Sequence, residues 1–234
     1  MIVKDLTFSY AGNKIFDNFS VSIPQNQICT VIGGSGCGKS TLLKLIASLI
    51  KKDGGGIIFE ENEKGAVSYL FQEPRLLPTE NVYTNVELVL RPSIPDNKKR
   101  KERVFYYLNR VGLFEDRTKF PSELSGGMKQ RVAIARAFAY PSKLILMDEP
   151  MQGLDIKSRQ VVLGLFYDLW QKDPRTTLFV THDLRDAITR GSSILALGNP
   201  KKPVDFINLN HFKPLDDEKY GKLENRLLKD ILAY

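Results

Sequence analysis

With 234 residues, the chain is long enough to bury a substantial core, and it fits one α/β domain with room for an inserted subdomain. It holds no run near the roughly 20 apolar residues needed to cross a bilayer, and Met1-Ile2-Val3-Lys4-Asp5 lacks the charged-then-apolar order of a signal peptide, so a cytoplasmic location is expected. Two cysteines, Cys29 and Cys37, exclude a disulfide framework and a zinc site. The net charge of +7 falls on separate clusters, Lys51-Lys52, Lys98 to Lys101 and Lys201-Lys202, with no nucleic-acid reader motif among them. A solvated surface or an anionic membrane face suits them better, and no nucleic acid is expected as a partner.

The chain opens with Ile2 to Phe8 and Ile15 to Ile23, two apolar, β-branched runs around the turn Ala11 to Lys14, which predict a hairpin. Tyr10 lies between them, and its ring suits either the hairpin edge or a platform for a nucleobase. Ile28 to Ile32 then reads as a buried parallel strand, and Thr41 to Ile50 as a helix with Leu42, Ile46 and Leu49 on one face. Between strand and helix stand Gly33, Gly34, Ser35, Gly36, Cys37, Gly38, Lys39, Ser40 and Thr41, the full G-x-x-x-x-G-K-[ST] spacing of a phosphate-binding loop. Strand, glycine loop and helix are the context that chemistry requires. Glycines allow a tight turn, the loop N–H groups and helix N-terminus attract anions, Lys39 adds a charge for the β- and γ-phosphates, and Ser40 can ligate Mg²⁺. By the same electrostatics, Lys39 and the helix N-terminus should lower the pKa of Cys37.

Lys51 to Gly56 reads as a break, followed by short strands over Ile57 to Phe59 and Ala66 to Phe71. From residue 74 to 140 the texture becomes helical, with Val82 to Leu90 and Lys98 to Val111 as helices and Val104, Tyr107, Leu108 and Val111 as one apolar face. A third helix is expected from about Met128. The α/β pattern returns with a strand from Lys143 that ends abruptly at Asp148-Glu149-Pro150, then a helix from Ile156 to Trp170 and a strand from Thr176 to Val180 that ends at Thr181-His182-Asp183. Parallel strands place such ends in a ligand crevice. Asp148 is the candidate Mg²⁺ ligand, Glu149 the candidate general base, and His182 a third polar group at the same edge. Asp205 to Tyr234 shows helical spacing at Leu223, Leu227, Leu228 and Ile231, which suits either packing that closes the domain or a dimer contact.

Taken together, these residues resemble the ATP-binding subunits of ABC transporters over most of the chain and in the right order. Gly33 to Thr41 matches the Walker A motif, Leu124-Ser125-Gly126-Gly127-Met128 the signature, and Leu144 to Asp148 the Walker B motif. Tyr10 matches the adenine-stacking aromatic, Gln72 the glutamine that joins metal, nucleotide and membrane partner, Leu154-Asp155 the end of the D-loop, and His182 the switch histidine. Met128 stands where glutamine is usual, and Gln152-Gly153 where Ser-Ala is commoner. The resemblance implies a single domain over residues 1–234: a RecA-like P-loop NTPase core with an N-terminal antiparallel β subdomain and an α-helical subdomain inserted at 74–140. It also implies ATP and Mg²⁺ as ligands, with Ser40, Gln72 and Asp148 toward the metal and Glu149, Gln72 and His182 in catalysis. Each ATP would lie between Walker A of one chain and Ser125, Gly126 and Gly127 of a head-to-tail homodimer partner. The expected assembly adds transmembrane permease subunits and an extracytoplasmic solute-binding protein, with this chain peripheral on the cytoplasmic membrane face. The stretch Phe71 to Pro78 resembles the nitrate, sulfonate and taurine-type importers. An exporter ATPase and a soluble non-transport ABC ATPase are the alternatives.

Overall fold

A computed structural model describes residues 1–59, 67–198, 205–209 and 217–232. The chain forms two compact units, one of residues 1–64, 146–148 and 175–234, the other of 65–145 and 149–174.

In the first unit, β1 (Ile2–Tyr10) and β2 (Asn13–Ser22) form the expected hairpin, and β4 (Gly54–Ile58) adds to the other edge of β1, giving an antiparallel sheet ordered β2-β1-β4. The break expected at Lys51 to Gly56 is therefore corrected: the glycines belong to a strand. A Cβ on Gly55 would lie 2.2 Å from the Asp5 carbonyl oxygen, and its φ is +76°. β1 is irregular there, between Lys4 and Thr7, and approaches too closely for any side chain. Gly55 answers to its neighbouring strand, not to a turn.

The second sheet of this unit centres on β3 (Ile28–Gly33), buried along its whole length and parallel to both β7 (Thr176–Val180) and β8 (Ser193–Leu197). With β6 (Leu144–Asp148) and β9 (Asp205–Asn208) the order is β6-β7-β3-β8-β9, and β9 runs antiparallel to β8. Continuous apolar strands of this kind need cover on both faces. One layer comes from α6 (Leu184–Arg190) and α7 (Asp217–Leu232): Ile32, Ala187, Ile188, Ile194 and Ile207 pack with Leu223 and Leu227 in one cluster. Each of those leucines contributes about 1.5–3 kcal/mol by burial. The C-terminal spacing is thus a packing face at those two positions, although 205–208 is strand rather than helix and Leu228 stays exposed. The side chain of Ile231, Ala66, and Lys201-Lys202 lie outside the described residues.

α1 (Lys39–Ile46) begins two residues before the expected start and ends four before the expected end. Ser48 adopts a φ of 55°, and the Leu49 N–H donates back to the Lys44 carbonyl over 2.9 Å. That left-handed exit turns Leu49 away from the core, so Leu49 is exposed while Leu42 and Ile46 are buried.

The second unit is mainly helical, with α2 (Val82–Glu87), α3 (Asn97–Arg110), α4 (Gly126–Ala139) and α5 (Ile156–Lys172) beside the short β5 (Val67–Leu70). Val104, Tyr107, Leu108 and Val111 are buried as the spacing implies, and α4 packs on α2, α3 and α5. Of the basic run 98–101, Arg100 turns inward. Glu87 receives Arg100 Nε at 2.5 Å and Arg91 Nε at 2.8 Å, and Arg100 Nη1 donates to the carbonyls of Ile94 and Pro95. Burial alone would raise the Glu87 carboxyl, but the two guanidiniums outweigh it and hold the pKa below its ordinary value. No helix among the described residues is long and apolar enough to cross a membrane.

Candidate functional site

The loop between β3 and α1 is shaped by what its residues cannot avoid. Gly38 stands at φ +103° at the N-cap of α1, and a Cβ there would meet Ile15 Cγ2 at 2.7 Å and Phe16 Cζ at 3.0 Å. β2 therefore presses directly on the loop. Lys39 is 6% exposed, and its Nζ donates to the carbonyls of Gly33 at 2.9 Å and Gly34 at 2.8 Å. The ammonium lies inside the curve of its own loop, where a buried cation needs such oxygens. One residue on, the Ser40 hydroxyl donates to Asp148 Oδ1 over 2.7 Å. That bond spans 108 residues of sequence and sets a hydroxyl and a carboxylate side by side at the loop.

His182 belongs to the same edge. β7 ends at Val180, which pairs in parallel register with Val31 of β3, and the Thr181 N–H continues the ladder to the Val31 carbonyl at 3.2 Å. Asp183, just beyond, caps α6 by accepting from the Asp186 N–H, so exposed His182 is pinned between a strand end and a helix cap. Tyr10 lies at the end of β1, 45% exposed, with its ring edge-on to Phe8 at 4.7 Å. Phe8 pairs with Phe16, the residue against Gly38. An aromatic chain thus runs from the phosphate loop to Tyr10, which has surface left for a planar ligand.

Cys37 departs from expectation. Burial pushes its thiol above the ordinary value, and the Lys39 charge opposes that only in part. Cys29, fully buried, is pushed up to about 12. Alkylation of Cys37 should therefore be slow near neutrality and accelerate as pH rises past the ordinary thiol range, because the thiolate is the nucleophile. Mass spectrometry should find Cys37 labelled before Cys29 and shielded by Mg-ATP. Equal labelling with and without nucleotide would contradict a ligand in this loop.

In the second unit, Ser125 caps α4 by accepting from the Met128 N–H at 3.3 Å, a cap worth about 1 kcal/mol. The helix thus starts at Gly126, two residues before the expected Met128. The Gly126 and Gly127 N–H groups belong to its first turn, where orphan donors favour anions. A Cβ on Gly127 would meet Ser158 Cβ and Oγ at 3.3 Å, a tight contact in which α5 would have to give by a few tenths of an ångström. Glu149 follows Asp148 directly and holds a φ of 49°, a conformation that costs an L-residue about 1–2 kcal/mol. Its carbonyl accepts the Gln152 N–H at 3.0 Å, and the Gln152 side chain in turn accepts a hydrogen bond from Gln72 Nε2. Arg136 of α4 donates to the carbonyls of Pro74 and Arg75, securing the segment after Gln72. Neither link has a local sequence signal.

Comparison with known proteins gives the family. The ABC transporter family model matches residues 16–152. The aliphatic sulfonates import ATP-binding protein SsuB of Rhodopseudomonas palustris is 36% identical over 98% of this chain and 82% of its own length. SsuB 2 of Agrobacterium fabrum is 35% identical over 95% of this chain and 86% of its own. Among solved structures, a dimeric ATP-binding cassette in a post-hydrolysis state, bound to ADP and Pi, superposes with a TM-score of 0.75 at 29% identity, covering 89% of this chain and 99% of that one. An inward-facing, metal-chelate type ABC transporter chain superposes at 0.80 with 25% identity, covering 99% of this chain and 88% of that one. The chain belongs to the ABC transporter family, as one of its ATPase cassettes.

Proposed function

We propose that this chain is the ATP-hydrolysing subunit of an importer for a small organic anion of the sulfonate class. It works as a head-to-tail homodimer, peripheral on the cytoplasmic face of a membrane through a separate permease that receives solute from an extracytoplasmic binding protein. The observation that carries the ATPase reading is the Ser40–Asp148 hydrogen bond at 2.7 Å beside the Lys39 loop. The hydroxyl and the carboxylate are hard oxygen donors, the set that suits Mg²⁺ when phosphates complete its shell. Mg²⁺ bound there with ATP supplies charge neutralisation at the β- and γ-phosphates.

Lys39 and the loop N–H groups of Gly33 to Thr41 hold the phosphates, and Tyr10 stacks on the base. Asp148 and Ser40 hold the metal, joined by Gln72. Glu149 takes the proton of the attacking water, with His182 orienting the water and the γ-phosphate. Ser125, Gly126 and Gly127 serve the ATP of the partner subunit. The permease contact is assigned to a concavity of 340 Å³ within the second unit, lined by Ser68, Tyr69, Val89, Pro92, Arg136 and Tyr140, which offers mixed apolar and polar walls with one cation. The SsuB relatives support the sulfonate class.

The test is the metal dependence of turnover. Asp148→Asn should lower Mg-ATP hydrolysis by about 10²-fold or more and raise the Mg²⁺ concentration needed for half-maximal rate. An unchanged Mg²⁺ requirement would contradict the assignment of Asp148.

A further inference from the structure

α3 carries a charge pattern that the fold itself leaves unused. Two of its basic residues turn to internal oxygens: Arg100 Nε donates to Glu87 Oε1 at 2.5 Å, and Arg103 Nε donates to the Ala139 carbonyl. Lys98, Lys99 and Lys101 stay exposed, and among the described residues none of the three has an ion pair. Lys14, Lys119 and Lys222, equally exposed, are paired with Asp17, Asp116 and Glu218. Glu102 stands four residues after Lys98, the weaker order for a helical pair.

The placement of these lysines works against α3. They fall in its first turn and a half, where the helix dipole favours anions and no acidic residue belongs to the first turn. The N–H groups of Lys98 and Lys99 are already taken by Asp96 Oδ1, at 2.8 and 3.1 Å, so what the helix start offers outward is side-chain charge. An arrangement that costs local stability and has no internal partner marks a surface held for something outside the chain.

The rest of the face defines the partner. Helical spacing puts Lys99, Arg103, Tyr106 and Arg110 in one row. Tyr106 is 48% exposed, and the Arg110 guanidinium lies 5.3 Å from its ring centroid. Lysine's compact, strongly hydrated ammonium suits a diffuse field of headgroup charge, and a tyrosine with one apolar and one wet end suits the same boundary. Arg100 and Arg103, which could grip a single carboxylate or phosphate with two N–H groups, are the ones turned inward. Ala139, the acceptor of Arg103, precedes Tyr140 in the wall of the permease concavity, so the row borders that wall within the same unit.

We propose that Lys98, Lys99 and Lys101, with Tyr106 and Arg110, form a direct membrane contact, a strip that binds anionic lipid headgroups beside the permease. This rests on the reading of the chain as a peripheral membrane subunit.

The test sediments the full chain, without permease or nucleotide, with vesicles of phosphatidylcholine alone or with phosphatidylglycerol added. Binding should require phosphatidylglycerol. It should fall steeply as ionic strength rises from about 0.1 M to about 1 M, where the Debye length shrinks from about 10 Å to about 3 Å. Each of Lys98→Gln, Lys99→Gln and Lys101→Gln should weaken binding about fivefold, and the triple variant about a hundredfold, the range for single charges at such a surface. Lys4→Gln/Lys51→Gln/Lys52→Gln removes the same charge from exposed positions of the other unit and should stay within about twofold of the unmodified chain. The thermal midpoint of the α3 triple variant should hold or rise, because glutamine removes cations from the wrong end of the dipole.

Equal binding to both vesicles, an equal loss in the control variant, or a lowered thermal midpoint in the α3 variant would overturn the proposal. Tighter binding to a single-stranded oligonucleotide than to the vesicles, lost with the same three lysines, would assign the strip to nucleic acid and overturn the lipid. The peripheral reading has its own readout, capture of the permease by the tagged chain in detergent, where no bilayer is present. Capture without vesicle binding would overturn the strip and keep that reading, and the absence of both would overturn both.

Discussion

Replacing Lys39 by Ala should weaken Mg-ATP binding by about tenfold to a hundredfold, the range for hydrogen bonds made by a charged group, and lower turnover by about 10²-fold or more. The reason lies in the loop geometry. Lys39 Nζ reaches the carbonyls of Gly33 and Gly34, 2.9 and 2.8 Å away, so its ammonium is delivered to the inside of the curve on which phosphates would rest. Alanine fits the first turn of α1 without strain, and the apolar residues beneath, Leu42, Leu43 and Ile46, are untouched. Far-UV circular dichroism should therefore remain native while isothermal titration with Mg-ATP shows the loss. Undiminished affinity in a folded variant would remove the loop from the nucleotide site.

How much of this was legible beforehand depended on whether a residue's task was local. The phosphate loop was readable because its requirements are written next to one another: an apolar strand, glycines where the backbone turns, a lysine and a hydroxyl. The hairpin, the inward face of α3 and the carboxylates ending β6 follow from periodicities of two and of 3.6. Where the cause lay in a distant segment, the reading failed. Gly54 to Gly56 read as a break, although Gly55 is a glycine because the irregular β1 lies 2.2 Å from where its Cβ would be. One miss was local: Leu49 had the right spacing for the core, but Ser48 turns the chain before it. Cys37 had the neighbours that lower a thiol's pKa, and burial outweighed them.

Nor were α6 and β8 read: both are short, and the strand run Ser193 to Leu197 gains its meaning only beside β3. Within the candidate site, the pair Ser40–Asp148 was implied by motif logic, whereas the Gln72–Gln152 link joins positions 80 residues apart and had no counterpart in spacing. Arg136 is similar. An arginine among alanines reads as a surface residue until its guanidinium is seen on the carbonyls of Pro74 and Arg75.

The second large effect concerns Glu149. Glu149→Gln preserves size and hydrogen-bonding shape but cannot take a proton, so ATP should still bind while hydrolysis falls by about 10²–10⁴-fold. Binding without turnover should accumulate the ATP-held dimer. Because each ATP is proposed to be gripped by the Lys39 loop of one chain and by Ser125, Gly126 and Gly127 of the other, a bulky cation at Ser125 should prevent that accumulation. Ser125 is exposed at the N-cap of α4, so Ser125→Arg costs the cap about 1 kcal/mol and leaves the core intact. Alanine at 125 would be the weaker probe, since the backbone donors of Gly126 and Gly127 would remain.

The most direct measurement is size-exclusion chromatography in Mg-ATP of three preparations: Glu149→Gln, Ser125→Arg/Glu149→Gln, and an equal mixture of the latter with Lys39→Ala/Glu149→Gln. A two-sided ATP site predicts a stable dimer for the first, a monomer for the second, and a weaker heterodimer in the mixture, where one composite site with an intact loop and an intact Ser125 can still form. A dimer of undiminished stability for Ser125→Arg/Glu149→Gln would contradict it.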